Sequence, residues 1–138
     1  MKIRGFAVAF GLFAADIVIK QLVVAFKPDW GNDLFRFTLY SNTGIVFSLP
    51  VPNWIYLPVA IAVFGLFVGA LALALKRRTS SAPWLTFVVL GALSNLYDRF
   101  AYDATIDYLV FFGRSAINLA DVMIVIGVVL FLHSQKKK

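Results

Sequence analysis

The chain has 138 residues, of which 61% are hydrophobic and 14% are charged, and its formal net charge is +6. A water-soluble domain carries roughly 25% charged and about 45–50% apolar residues, so this composition excludes an ordinary soluble globule. The absence of cysteine excludes disulfides, thiol catalysis and cysteine-based metal sites. All seven acidic residues are aspartates and His133 is the only histidine, which argues against a histidine-rich metal site. We expect no metal and no cofactor.

Four apolar segments have the length, or nearly the length, that a membrane-spanning helix needs, about 20 residues. The predicted transmembrane helices comprise residues 5–26, 54–75, 83–100 and 116–133. The first segment contains two charges and lacks a small-x-small cleavage site, so it is predicted to be a helix and not a cleaved secretory signal. The fold class is therefore an all-α membrane protein, with residues 1–138 forming one integral-membrane domain.

The basic residues predict the orientation of these helices. Eight of the 13 lysines and arginines lie before the first helix, between the second and third, or after the fourth. By the positive-inside rule both termini are cytoplasmic. Because the basic residues lie at helix ends on that side, nucleic-acid binding is not expected.

The segment between the first two helices has the period of a strand. Phe35, Phe37 and Leu39 lie on one face, and polar side chains alternate with them. Residues 41–44 predict a turn, and residues 45–47 a return strand. We therefore expect an extracytoplasmic β segment at about 34–49, either a small sheet on the bilayer surface or an ordinary hairpin.

Charged residues inside the spans are costly, roughly 2.5–3.5 kcal/mol each at the bilayer centre, and require an explanation. Asp16 and Lys20 are four residues apart, so they share a helix face and can pair. A structural pair is the favoured interpretation, because buried ion pairs are weak indicators of activity. The alternative is that Lys20 meets a polar group of a substrate at the outer leaflet.

A second polar cluster, Asn95, Asp98 and Arg99, lies at the outer end of the third predicted helix. It fits a hydrogen-bonding cap of the helix and a substrate site about equally well, because the free-energy cost of a charge is small near the membrane interface.

Asp121 lies roughly 8 Å below the outer end of the fourth predicted helix, and Asn118 projects from the same face. A short connection between the third and fourth helices would bring Asp107 close to Asp121. Two carboxylates that share a site cannot both ionise easily, so one holds a proton while the other activates water. The alternative is a buried structural acid at Asp121. The remaining aspartates, Asp29, Asp33 and Asp103, are predicted to be solvated loop acids.

The polar residues stand in a series of short motifs that resembles lipoprotein signal peptidase (signal peptidase II), an intramembrane aspartyl protease family of bacteria. The matching segments, in chain order, are Asp16-Ile-Val-Ile-Lys20, Asn42-Thr-Gly-Ile-Val-Phe47, Gly91-Ala-Leu-Ser-Asn95-Leu-Tyr-Asp98-Arg99, Ile106-Asp107-Tyr108 and Asn118-Leu-Ala-Asp121. Each motif is short and weakly specific by itself, whereas five motifs in order over the whole chain are a strong match.

The resemblance implies a role for each matched residue. Asp107 and Asp121 would be the catalytic dyad. The residues implied in substrate binding or in support of the dyad are Asn42, Asn95, Asp98, Arg99, Asn118, Asp16 and Lys20. The implied reaction removes the signal peptide of a prolipoprotein, on the N-terminal side of a cysteine that carries diacylglyceryl.

The resemblance also implies where the enzyme works and what it meets. The location is the bacterial cytoplasmic (inner) membrane, with the active site at the outer leaflet. The implied partners are the prolipoprotein and membrane lipid, with globomycin-like peptides as inhibitors, and we expect a monomer. Ala92, Ser94 and Val46 depart from the family pattern, which leaves the fit of substrate and inhibitor open.

Two other functions remain possible on the residues alone. A small four-helix ion-coupled transporter would depend most on Asp16 and would not need Asp107. A structural subunit or catalytically silent relative would need none of the acids beyond their contribution to stability.

Overall fold

The structure is a computed structural model that describes residues 2–44 and 51–136. Within these residues the chain forms four helices and four short strands. In chain order they are α1 (Lys2–Phe26), β1 (Asp29–Gly31), β2 (Phe35–Asn42), α2 (Asn53–Lys76), α3 (Ala82–Tyr102), β3 (Thr105–Phe111), β4 (Ser115–Ile117) and α4 (Leu119–Gln135).

The helices expose the apolar side chains that a water-soluble protein would bury. Residues Ile3–Phe26 of α1 and Trp54–Lys76 of α2 are long and apolar enough to cross a membrane, and α4 is a shorter apolar helix. In α2 only 6% of the most apolar window is buried inside the protein. An unpartnered apolar surface of this extent fits a helix surrounded by lipid.

Helix α3 lies at the centre of the helical part of the chain, packed against the other three helices. Gly91 permits α3 to lie close to α4, because a Cβ at this position would stand 2.6 Å from the carbonyl oxygen of Ala120. Small residues at such crossings allow helix backbones to come together where lipid supplies no hydrophobic driving force. One apolar core cluster consists of Ala9, Phe87, Leu90 and Met123.

The four strands form one antiparallel sheet in the order β1-β2-β3-β4. Strand β2 confirms the strand expected from the alternating pattern, but its partners are β1, before it, and β3, from the connection between α3 and α4. The predicted turn at 41–44 is wrong in part, because β2 continues through Asn42. The predicted return strand at 45–47 lies outside the described residues.

Two further predictions are corrected by this sheet. Ser115–Ile117 pairs with β3, so α4 begins at Leu119 and not at residue 116. Asp121 therefore lies in the first turn of α4 and not about 8 Å below its outer end. Asp29 lies in strand β1, where its exposed carboxylate is 3.5 Å from Arg36 Nε, and is not a loop acid.

Candidate active site

The polar residues singled out in the sequence meet at one end of the helices, beside the sheet. Asn118 is the centre of this network and is fully buried. Its side-chain Nδ2 donates to Asp107 Oδ1 at 2.7 Å, to Asn95 Oδ1 at 3.0 Å and to the carbonyl oxygen of Ile106 at 3.3 Å. One amide thus connects α3, β3 and α4.

Asn118 also begins helix α4. Its Oδ1 accepts a hydrogen bond from the backbone N–H of Asp121 at 2.9 Å, and Asp121 Oδ2 accepts from the backbone N–H of Asn118 at 3.3 Å. This reciprocal pair is a capping box, which satisfies amides that the helix itself leaves without partners. The Asp121 carboxylate is therefore held by the start of its own helix.

Asp107 lies in β3 and is almost completely buried. One carboxylate oxygen accepts from Asn118, and the other accepts from Asn42 Nδ2 of β2 at 2.9 Å. Burial raises the pKa of Asp107 to about 7, and the negative charge of Asp121 acts in the same direction, while the hydrogen bond from Asn42 opposes the shift. Asp107 is therefore poised to exchange a proton near neutral pH.

Asn95 connects Asp121 to a buried lysine. Its Nδ2 donates to Asp121 Oδ1 at 2.8 Å, and its Oδ1 accepts from Lys20 Nζ at 3.1 Å. Because an ammonium can only donate, Lys20 fixes which end of the Asn95 amide faces Asp121.

Lys20 sits between two aspartates, and all three side chains are buried. Its Nζ is 3.0 Å from Asp16 Oδ2 and 2.7 Å from Asp98 Oδ2, which confirms the predicted Asp16–Lys20 pair. Asp98 Oδ2 also accepts from the backbone N–H of Ile106 at 3.1 Å. The cluster links α1 to α3 and to the start of β3.

Arg99 holds the far end of β2. Its Nε donates to Thr105 Oγ1 at 2.9 Å, and its guanidinium donates to the carbonyl oxygens of Thr43 and Gly44. The same guanidinium lies 4.1 Å from the ring centroid of Tyr56 in α2, a cation–π arrangement. Arg99 thus ties α3 to the residues that follow β2 and to α2.

Two polar side chains of the network, Ser94 and Tyr108, were not among the predicted site residues. Ser94, seen in the sequence only as a departure from the family pattern, accepts from Lys20 Nζ at 2.9 Å and donates to Asp16 Oδ2 at 2.6 Å. Tyr108, noted only as part of a motif, donates its hydroxyl to Asp16 Oδ1 at 2.8 Å. The signal for Ser94 was available, because it lies four residues before Asp98 on one face of α3.

An apolar cavity of about 580 Å³ opens beside the network, between α2, α3 and α4. Asn95 is the polar residue of its lining that belongs to the network. Its apolar wall includes Val59, Ala60, Phe64, Val88, Ala92 and Ile124.

Taken together, these residues form two adjacent, mostly buried carboxylates held by asparagine amides. Since the two carboxylates do not both ionise readily, they can hold one proton between them and use the ionised partner as a base towards water. Such a pair of carboxylates is typical of an aspartic-type hydrolase, and here it belongs to a chain whose helices α1 and α2 are long and apolar enough to cross a membrane.

The comparisons with known proteins agree with that class. Residues 8–136 match the family model described as Signal peptidase (SPase) II. The chain belongs to this family of aspartic-type signal peptidases.

Relatives and solved structures resemble most of the chain. It is 33% identical over 133 residues to the lipoprotein signal peptidase of Pseudomonas paraeruginosa, covering 89% of this chain and 76% of the relative. The lipoprotein signal peptidase of Shewanella oneidensis is 32% identical over 158 residues, covering 99% and 91%. A solved structure described as a bacterial membrane enzyme superposes with a TM-score of 0.78 at 16% identity, covering 97% of this chain and 88% of that one. A second structure with the same description superposes with a TM-score of 0.74 at 17% identity, covering 96% of this chain and 92% of that one. At these identities the two structures support the fold alone.

Proposed function

We propose that this chain is an intramembrane aspartic endopeptidase that removes the signal peptide from diacylglyceryl-modified prolipoproteins, cleaving on the N-terminal side of the lipidated cysteine. The observation that carries the proposal is the linkage of Asp107 and Asp121 through one buried asparagine, Asn118. Membership of the signal peptidase II family supports the same reaction and disfavours the transporter alternative.

In the proposed mechanism the two aspartates share one proton and titrate as a pair. The ionised carboxylate takes a proton from water, which attacks the scissile carbonyl carbon. The protonated carboxyl donates to the carbonyl oxygen and later helps to protonate the leaving amine. Asn42, Asn95 and Asn118 orient the two carboxylates through the hydrogen bonds described above, while Arg99, Asp16, Lys20 and Asp98 support the elements that carry them.

The proposed membrane arrangement has four spans, with both termini cytoplasmic and the sheet and dyad at the outer leaflet. The positions of the basic residues support this orientation. A lipid-anchored cysteine lies at the same depth, so the bond beside it would reach the dyad without leaving the membrane. Such a site would also admit globomycin-like peptides as inhibitors.

The apolar cavity beside Asn95 fits the lipid part of this substrate. A site built almost entirely from aliphatic and aromatic side chains favours acyl chains over polar peptide. Ala60→Phe would fill part of the cavity and should raise KM for the lipidated substrate about tenfold, or about 1.4 kcal/mol of binding. Ala72→Phe places the same side chain on an exposed position of α2 and should leave KM unchanged. Equal KM values for the two variants would contradict this assignment of the cavity.

The decisive experiment measures cleavage by the purified protein in detergent or lipid. Diacylglyceryl-modified prolipoprotein is compared with its unlipidated form on a gel, using wild type, Asp107→Asn and Asp121→Asn. We expect cleavage of the lipidated form only, and a loss of about 10⁴-fold or more in both variants. Asp103→Asn, a matched change outside the described network, should remain within about twofold of wild type. Failure of the folded wild type to cleave, or normal turnover by either dyad variant, would refute the proposal.

A further inference from the structure

The hydroxyl of Tyr108 joins two helices that are distant in sequence. It donates to Asp16 Oδ1 of α1 at 2.8 Å and accepts from the backbone N–H of Leu119, the first residue of α4, at 2.9 Å. The side chain is almost completely buried. Both hydrogen bonds are therefore made away from water, where a lost partner is not replaced by solvent.

The start of α4 depends on this hydroxyl. The first three amides of any helix lack partners within the helix. Here Leu119 N–H donates to Tyr108, Ala120 N–H donates to Asp16 Oδ1 at 3.3 Å, and Asp121 N–H donates to the Asn118 side chain. Asn118 is the residue directly before α4, whereas Tyr108 and Asp16 belong to β3 and α1, and these two side chains set where the first turn of α4 lies.

Tyr108 is also the immediate neighbour of Asp107 in β3. Successive side chains of a strand point to opposite faces. Asp107 contacts Asn42 and Asn118, whereas Tyr108 reaches Asp16 and the backbone of α4. Movement of β3 relative to α4 would therefore change the Tyr108 contact and the distance between the two aspartates together.

We propose that Tyr108 is a positioning residue for peptide cleavage, whose hydroxyl sets the position of the first turn of α4, and hence of Asp121, relative to Asp107. The proposal rests on the proposed function, in which these two aspartates form the dyad. Burial and the neighbouring Asp16 carboxylate raise the pKa of Tyr108 well above its ordinary value, so the hydroxyl keeps its proton at any working pH.

Two substitutions remove the two sides of the Tyr108–Leu119 hydrogen bond. Tyr108→Phe removes the acceptor and keeps the ring. Leu119→Pro removes the donor, and proline is favoured at the first position of a helix. The preceding Asn118 has φ −128° and ψ 176°, an extended conformation that suits a residue before proline. Tyr102→Phe is the matched control, because the hydroxyl that it removes accepts a hydrogen bond from Gln21 Nε2 and does not contact the proposed dyad.

The measurement is kcat and KM for lipidated prolipoprotein in a double-mutant cycle. Each single variant should lower kcat about 10–100-fold with KM within about twofold of wild type, since displacement of a catalytic group by about 1 Å costs about 100-fold. The double variant should be no slower than the slower single variant, because both changes break the same Tyr108–Leu119 hydrogen bond and only Tyr108→Phe also removes the bond to Asp16. Tyr102→Phe should match wild type.

Other outcomes separate this proposal from the proposed function. Absence of cleavage by folded wild type would overturn the proposed function, and with it the dyad on which Tyr108 acts. A second outcome would overturn the role of Tyr108 alone: wild type cleaves and Asp121→Asn does not, while Tyr108→Phe and Leu119→Pro keep the wild-type kcat. Additive losses of kcat in the double variant would overturn that role as well. If neither variant folds, hydrogen exchange on the wild type tests whether Tyr108 holds the Leu119 amide. This amide should be as protected as the amides in the interior of α4. Exchange of the Leu119 amide as fast as that of amides at an exposed helix end would refute the proposal.

Discussion

Replacement of Lys20 by methionine tests whether the buried charge cluster stabilises the fold around the site. Methionine keeps much of the length of the side chain and removes its charge. The substitution leaves Asp16 and Asp98 buried without their shared cation, and Asn95 and Ser94 each lose the hydrogen bond that Lys20 donates to their oxygens. We expect a large loss of stability.

The magnitude follows from the two contact distances. At 2.7 Å and 3.0 Å, each attraction of Lys20 to an aspartate amounts to about 6 kcal/mol at an effective dielectric constant of 20. The cost of removing the three charged groups from water offsets much of this sum. Breaking a buried pair by deleting one partner typically costs about 3–5 kcal/mol, and we expect Lys20→Met to lower the free energy of unfolding by that amount.

The assay is reversible unfolding of the purified protein in mixed micelles, followed by circular dichroism. Lys27→Met is the matched control, because Lys27 is exposed after the end of α1 and its replacement should cost less than about 0.5 kcal/mol. A loss below about 1 kcal/mol in Lys20→Met, or equal losses in the two variants, would refute the view that the cluster needs its cation.

Three further predictions concern the two proposed catalytic aspartates and the contact between α3 and α4. Because burial raises the pKa of Asp107 to about 7, kcat/KM should fall as pH rises above 7. Asn42→Ala removes a hydrogen bond to the ionised carboxylate, so the pH at which kcat/KM falls should rise by about one unit. A pH–rate profile in which this pH is unchanged would contradict the assignment of the fall to Asp107. The same raised pKa means that the folded state binds the Asp107 proton more tightly than the unfolded state does, so the free energy of unfolding should decrease between about pH 4 and pH 7 in wild type, and less in Asp107→Asn. Gly91→Ala should destabilise the protein by about 1–3 kcal/mol because its Cβ meets backbone of α4, whereas Gly65→Ala, with no neighbour within 4 Å, should be nearly neutral in the same unfolding assay.

Local spacing was sufficient to predict part of the site. Asp16 and Lys20 were expected to pair because residues four apart share a helix face, and the structure confirms it. Alternation of polar and apolar residues correctly predicted strand β2. These signals depend on the geometry of a single element, which is why one sequence reveals them.

Contacts between elements were not predictable in the same way. No local pattern indicates that Ser94 and Tyr108 meet Asp16, which lies 78 and 92 residues away. The start of α4 was predicted too early because Ala116 and Ile117 are apolar enough to extend the helix, whereas pairing with β3 makes them part of a strand. Tertiary pairing here overrides the local preference.

Composition and spacing indicate the chemical character of this protein: segments apolar enough for lipid, basic residues whose positions predict an orientation, and a small set of aspartates and asparagines that must find hydrogen-bonding partners where they are buried. Which groups become those partners depends on how the helices and strands pack. The sheet is assembled from two separate connections, so β2 brings Asn42 to Asp107 in β3, and Asn118 then links Asp107 to the start of α4. The physical reason is that a buried polar group must be satisfied by whatever donor or acceptor the packing brings within reach, and packing is a property of the whole chain and not of any segment of it.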